Sequence, residues 1–277
     1  MPELDEQSPT QAEILRRRWY HTIELPGGVV TPGEYDLRSS LPRLPLPADL
    51  SGKRCLDVGT HDGFWAFEME KRGASEVVAI DLQSVEQLDW PEPRPVLDDA
   101  ARAQLNARAE AFYLAHRALG SKVDRRLVSV YDLDVALVGR FDFAVIGTLL
   151  LHLRDPAGAL MAIGRVLDGS LLVNDVISPT LTALKPRTPA AELLDVEGAP
   201  FWWLVNRAGL HRLVSAAGFR VTASGGPYLV ANGKGFAPEP LSFRTRYGSG
   251  LPRQLLLRLG APHAWVLAES VSARQPR

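Results

Sequence analysis

The segment Cys55-Leu-Asp-Val-Gly-Thr-His-Asp-Gly-Phe-Trp65 concentrates the residues best suited to binding a charged small ligand. An apolar run passes directly into a turn bracketed by Gly59 and Gly63, and helix-forming residues follow. Glycines there permit a tight turn and close backbone approach, while the helix start offers free N–H groups and a positive dipole end. Asp57, Thr60 and His61 belong to the same stretch. A dinucleotide fingerprint, G-x-G-x-x-G, would need glycine at position 61; His61 would crowd a pyrophosphate, which disfavours a nicotinamide dinucleotide. A second apolar run ends in Ile80-Asp81-Leu82 and places Asp81 18 residues beyond Gly63, near the spacing at which an acid takes ribose hydroxyls. A third ends in Val130-Tyr131-Asp132-Leu133, where the acid could accept from the amino group of an adenine while Tyr131 and Leu133 flank its ring. Acids closing three successive strands, Asp57, Asp81 and Asp132, mark one sheet edge as a nucleoside site; the alternative for each is an acid that merely caps the next helix. For proton transfer the candidates are His152, at the end of a fourth apolar run, and His21, near Trp19, Tyr20 and Glu24.

These residues need a scaffold, and the chain supplies one. The 277 residues are 46% hydrophobic and 23% charged, a globular composition with enough apolar mass for a sizeable core. From Gly52 onward, short apolar runs (54–58, 77–80, 127–130, 141–146 and 171–173) alternate with helix-forming stretches (64–72, 97–119 and 157–167). That βαβ rhythm predicts an α/β fold: a mostly parallel, Rossmann-like sheet of seven strands with helices on both faces. A helix over 206–217, a strand over 219–223 and a last strand over 265–268 complete it. Residues 1–50 form a preface in which Pro9 to Trp19 reads as a helix capped by Ser8, followed by a Pro-rich wrap; we expect a lid. Residues 51–277 then form the main domain, with a Gly/Pro-rich insertion at about 225–262. Lys plus Arg number 31 against 32 acids, so no global field draws the chain to nucleic acid or lipid. The single cysteine, Cys55, excludes a disulfide and a cysteine-based zinc site, no metal cluster is expected, and the lack of a leader points to a reducing cytoplasm. No 18-residue apolar run suggests a membrane span. Oligomeric state is not specified.

A ligand without a pyrophosphate, such as S-adenosylmethionine, asks only that the turn skirt its methionine and ribose portions, which G-x-x-x-G satisfies. Here the chain resembles the class I S-adenosylmethionine-dependent methyltransferases. Leu56-Asp-Val-Gly-Thr-His-Asp-Gly63 looks like their first motif, Ile80-Asp81 like their ribose-binding acid, and Phe141-Asp-Phe-Ala-Val-Ile-Gly-Thr-Leu-Leu-Leu-His152 like their fourth-strand motif, which brings Gly147 to the cofactor. The likeness covers about residues 50–225. More narrowly, Trp19-Tyr-His-Thr-Ile-Glu-Leu with Val30-Thr-Pro-Gly33, and Trp203-Leu-Val-Asn-Arg-Ala-Gly-Leu-His-Arg-Leu-Val, resemble the branch containing the tRNA wobble-uridine carboxymethyltransferases. Those enzymes hold an extra cofactor carboxylate with a Lys, a Tyr and an Arg. This chain has Leu151 in the place of the Tyr, Ala261-Pro-His-Ala-Trp265 in the region of the Arg, and no clear counterpart of the Lys. An unpaired carboxylate there would cost several kcal/mol. The resemblance therefore implies methylation of a small-molecule acceptor at oxygen or nitrogen from S-adenosylmethionine. The alternatives are tRNA wobble modification, which would call on Arg244 and Arg246 in a stretch that is formally +4 from Lys234 to Arg258, and a non-catalytic S-adenosylmethionine-binding protein.

Overall fold

A computed structural model describes residues 9–106, 108–194, 199–237 and 250–271. Nine strands make one sheet: β1 (Trp19–His21), β2 (Gly33–Asp36), β3 (Arg54–Val58), β4 (Glu76–Asp81), β5 (Asp124–Leu127), β6 (Phe141–Gly147), β7 (Leu167–Val176), β8 (Phe219–Asn232) and β9 (Ala261–Ser270). Their spatial order is β1-β2-β8-β9-β7-β6-β3-β4-β5. Strands β7, β6, β3, β4 and β5 run parallel, and β9 lies antiparallel between β7 and β8. This is the expected mixed α/β architecture, with seven strands from Arg54 onward.

The other two strands come from the preface, which the sequence reading treated only as a wrap. Its prolines stand beside the extended runs rather than inside them, and Pro is tolerated at sheet edges. Strand β1 pairs parallel with β2, and β2 joins β8 through Ala231 opposite Asp36 and Asn232 opposite Tyr35. The first helix, α1 (Gln11–Arg16), is capped by Thr10 in a capping box with Glu13; Ser8 lies outside the described residues.

Three strand boundaries also differ. Strand β5 covers Asp124–Leu127 instead of 127–130, because an edge strand with a single neighbour needs no continuous apolar run. Val130–Asp132 wind into a 3-10 turn capped by Ser129, so Asp132 leaves the strand end expected for it. Strands β7 and β8 extend to 10 and 14 residues, and Gly225 to Asn232, assigned to the insertion, are strand.

Helices cover both faces because central parallel strands are buried on both sides. On one face α4 (Pro156–Val166) and α5 (Arg207–Ala216) seat Leu160, Ile163, Leu210 and Val214 against Leu56, Ile146 and Leu171. On the other, α2 (Phe64–Lys71) and α3 (Arg108–Leu119) place Phe64, Met69 and Phe112 over Val77, Val145 and Leu172. The preface packs into this second layer through Ile14, Trp19 and Ile23.

Trp19 is 1% exposed, and its indole N–H donates to the Ile14 carbonyl at 2.8 Å, tying α1 to β1. Trp19→Ala should cost about 3–5 kcal/mol of stability through the cavity it leaves, a loss that denaturant unfolding would register directly.

Candidate active site

The turn after β3 is built by backbone conformation. Gly59 sits at φ 75° and Gly63 at φ 93°, and a Cβ on Gly59 would lie 2.9 Å from the Leu149 side chain. The amides of Gly59 and Thr60 both donate to the Ile80 carbonyl at 3.0 Å, which holds the turn across the mouth of β4. Asp57 is fully buried on the face that carries α2; its Oδ2 accepts from the Ala66 amide at 3.1 Å. Burial pushes its carboxyl up to about 7. The buried Thr60 hydroxyl, beside Asp57, favours the charged carboxylate against that burial.

At the end of β4, Asp81 Oδ2 accepts from the His61 amide at 3.1 Å and from Arg125 at 3.3 Å, and Oδ1 accepts from the Leu82 amide at 2.8 Å. Burial raises its carboxyl above the ordinary value against the pull of Arg125. A carboxylate has about four lone-pair sites, so the network leaves room on Oδ1.

The expected adenine residues scatter. Tyr131 is half-buried, and its hydroxyl donates to Asp89 at 2.6 Å. Asp132 is exposed. Leu133 is fully buried in the apolar layer beneath α4, and its carbonyl accepts from Arg165, so its side chain is core rather than ring-flanking. The reason is the 3-10 turn at Val130–Asp132, which rotates alternate residues off the sheet edge.

Between these two ends lies a polar patch that no local motif announced. Gly147 is a half-buried residue where a Cβ would fall 2.2 Å from the Trp65 indole nitrogen. Thr148 follows at φ 53°; it and His61, at φ 51°, are the non-glycine residues with positive φ among the described residues. A β-branched residue there is strained, and such strain gathers at functional sites. The Thr148 hydroxyl meets His263 Nε2 at 3.0 Å, and His263 Nδ1 meets the Ala261 carbonyl at 2.9 Å. With Nδ1–H donating to that carbonyl, Nε2 is the acceptor for Thr148. Burial drives the His263 ring down to about 4. Tyr228 donates to Asn174 Oδ1, while the fully buried Asn174 Nδ2 lacks a partner. Asp175, one residue on, receives the amides of Leu149 and Leu150 on Oδ2 and of Val176 on Oδ1, holding the loop after β6; burial lifts it to about 7. Thr148 and His263 are 115 residues apart, a separation that hides them from motif reading.

The preface roofs the turn. Asp62 Oδ2 accepts the amides of Tyr20 and His21 at 2.9 and 2.7 Å, and Oδ1 meets His21 Nδ1 at 2.5 Å. The Tyr20 ring lies 4.8 Å from that of His61. Burial opposes charge on Asp62, but His21 and the amide donors overcome it and hold the carboxyl below its ordinary range. His152 is placed differently: its Nδ1 meets the Pro200 carbonyl at 2.9 Å and its ring stacks on Phe201. The two histidines thus belong to separate loops, and Asp62, which sequence reading passed over, is the partner of one of them. Arg244 and Arg246 lie outside the described residues.

A model of the methyltransferase domain matches residues 32–224. The chain belongs to the methyltransferase-domain family. It is an S-adenosylmethionine-dependent enzyme, and the glycine turn, which a Cβ on Gly59 would crowd, with the acid closing β4 fits that molecule's amino-acid and ribose portions. A ubiquinone biosynthesis O-methyltransferase of Nitrosococcus oceani is 30% identical over 207 residues, 74% of this chain and 75% of that one. One from Xanthomonas oryzae pv. oryzae is 34% identical over 165 residues; the match spans 59% of this chain and little more than half, 56%, of the relative. The N-terminal domain of EvdMO1, crystallised in the presence of SAH and D-fucose, shares the fold with a TM-score of 0.51 at 16% identity, covering 94% of each chain. Among the described residues no helix is long and apolar enough to cross a membrane.

His263 makes a signed prediction. Its folded value near 4 lies below the ordinary 6.5, so unfolding takes up protons between those values, and its contribution to stability is present above about 6.5 and lost as pH falls toward 4. The stability of the native protein relative to His263→Gln should therefore fall by an amount on the order of 3 kcal/mol from pH 7 to pH 4; urea unfolding at both pH values measures it.

Proposed function

We propose that this chain methylates a small molecule, at an oxygen in the first instance and otherwise at a nitrogen, using S-adenosylmethionine. The observation that carries the reading is the set of uncharged polar pairs at the ends of β6, β7 and β9, Thr148 with a His263 held neutral at neutral pH and Tyr228 with Asn174, while Tyr20 and His21 of the preface are bound over the glycine turn. Uncharged polar groups suit a compact neutral acceptor, whereas a polyanion would need an open basic footprint. Relatives named for O-methylation support the choice of oxygen.

The narrower likeness to the tRNA wobble-uridine enzymes requires a second carboxylate on the cofactor. Leu151, where those enzymes have a Tyr, is 9% exposed and offers no donor. Plain S-adenosylmethionine is the better match.

When bound, S-adenosylmethionine supplies an electrophilic methyl group with its own leaving group. The protein's task is then to align the partners and exclude water. In the proposed pose Asp81 receives the ribose hydroxyls. One Oδ1 position is ready, and a bidentate contact requires Arg125 to yield its place on Oδ2. Gly59, Thr60, His61 and Gly63, with Asp57, would hold the methionine portion, Leu82 and Tyr131 the nucleoside, and Gly147 would serve the sulfonium end.

Calorimetric titration with S-adenosylmethionine and with its carboxylated analogue should favour the plain cofactor; preference for the analogue would restore the tRNA reading. Asp81→Ala should weaken binding of the plain cofactor by about 1–3 kcal/mol. Unaltered affinity in that variant would refute the role given to Asp81.

A further inference from the structure

We propose that His21 and Asp62 form a general-base dyad carried by the preface: Asp62 fixes the His21 ring, and His21 Nε2 takes the proton of the acceptor hydroxyl. The inference rests on the methyl-transfer reading and adds to it the group that accepts the proton. Three features converge. Asp62 is fully buried and held anionic, and its Oδ1 lies 2.5 Å from His21 Nδ1, while its other oxygen accepts only amide donors. A carboxylate accepts and cannot donate, so Nδ1 must carry a proton, and in the neutral ring Nε2 is the nitrogen that accepts. A carboxylate-backed imidazole of this kind is the arrangement that turns histidine into a base of defined tautomer. The ring also occupies the right place. It packs 5.3 Å from Phe64 and 6.4 Å from His61 on the cofactor turn. The ring therefore stands over the glycine turn, beside the residues that the methyl-transfer reading gives to the cofactor.

The proton balance is simple. The acceptor O–H bond breaks with its proton passing to Nε2, and the oxygen pair joins the methyl carbon as the S–C bond opens onto sulfur. His21 becomes imidazolium against the Asp62 carboxylate, an ion pair built before the reaction begins. His152, whose Nδ1 faces Pro200, has no such carboxylate in contact through that nitrogen. Asp62 is a positioning residue here, because it acts through His21.

The preface delivers this base. Its amides at Tyr20 and His21 bind the same Asp62 oxygen, so the contact that seats the roof also sets the tautomer. Closing the site and arming the base are one event.

The test needs no acceptor. Nitrogen-15 NMR of the histidines, with His21 assigned by its absence in His21→Gln, should show the Nδ1–H tautomer in the wild-type protein. In Asp62→Asn, the amide can present N–H to the ring, and the tautomer should shift to Nε2–H. With S-adenosylmethionine labelled at its methyl carbon, an isotope-filtered NOE should join that methyl to the His21 ring, and the NOE should vanish in His21→Gln. An Nε2–H tautomer in the wild type, or bound cofactor with no NOE to His21, would overturn the dyad. Absence of cofactor binding by calorimetry would instead count against the underlying methyl-transfer reading. Should Asp62→Asn fail to fold, the wild-type tautomer and NOE still decide.

Discussion

The carboxylate of Asp62 is the constraint on which the site depends. It sits in the glycine turn, fully excluded from water, and receives the backbone amides of two consecutive preface residues together with an imidazole nitrogen. Burying a carboxylate is costly unless donors replace its water. Here each donor is charge-assisted, a class that contributes about 1.5–3 kcal/mol per bond. The preface cannot leave without stranding that charge, and the turn cannot relax without releasing the preface. The carboxylate shares the anchoring with the apolar seat of Trp19 and Ile23 and with the β2–β8 ladder, which the amides of Gly233 and Gly235 extend onto the Glu34 and Gly33 carbonyls.

Around that anchor, the carboxyl ends of adjacent strands collect features that a purely structural optimum would avoid. Asn174 Nδ2 is buried without a partner, and His61 and Thr148 hold strained backbone. An orphaned polar atom costs about 1–3 kcal/mol. Gathered at one edge of an open α/β sheet, where ligands bind in this architecture, these costs are sensible if the missing partner arrives with the cofactor or acceptor. The interior of the sheet is apolar packing on both faces.

The legibility of the chain follows from how local each feature is. The strand–turn–helix at Arg54–Lys71 was readable because periodicity, glycines and the acid all fall within a few residues. That Asp81 would meet the turn was readable because one crossover separates the two, and its carboxylate does accept from the His61 amide. The adenine side was read less well: Asp132 and Leu133 stand one turn too late, because the edge strand β5 tolerates Asp124, Arg125 and Arg126 and so escapes an apolar-run search. The two preface strands of the main sheet were not legible, because two-sided burial patterns do not develop in runs of three or four residues at a sheet edge.

The sequence by itself determined the α/β class, the glycine turn after the first central strand and the acid that closes the next one, since each depends on backbone conformation and spacing that neighbouring residues dictate. Only the tertiary structure decided that His21 meets Asp62 across 41 residues, that Tyr228 meets Asn174 across 54 and that His263 meets Thr148 across 115. The physical reason is that side chains converge on one sheet edge through strand order. That order places the last strand beside the seventh and the preface over the turn, and it is set by which apolar faces bury one another over the whole chain.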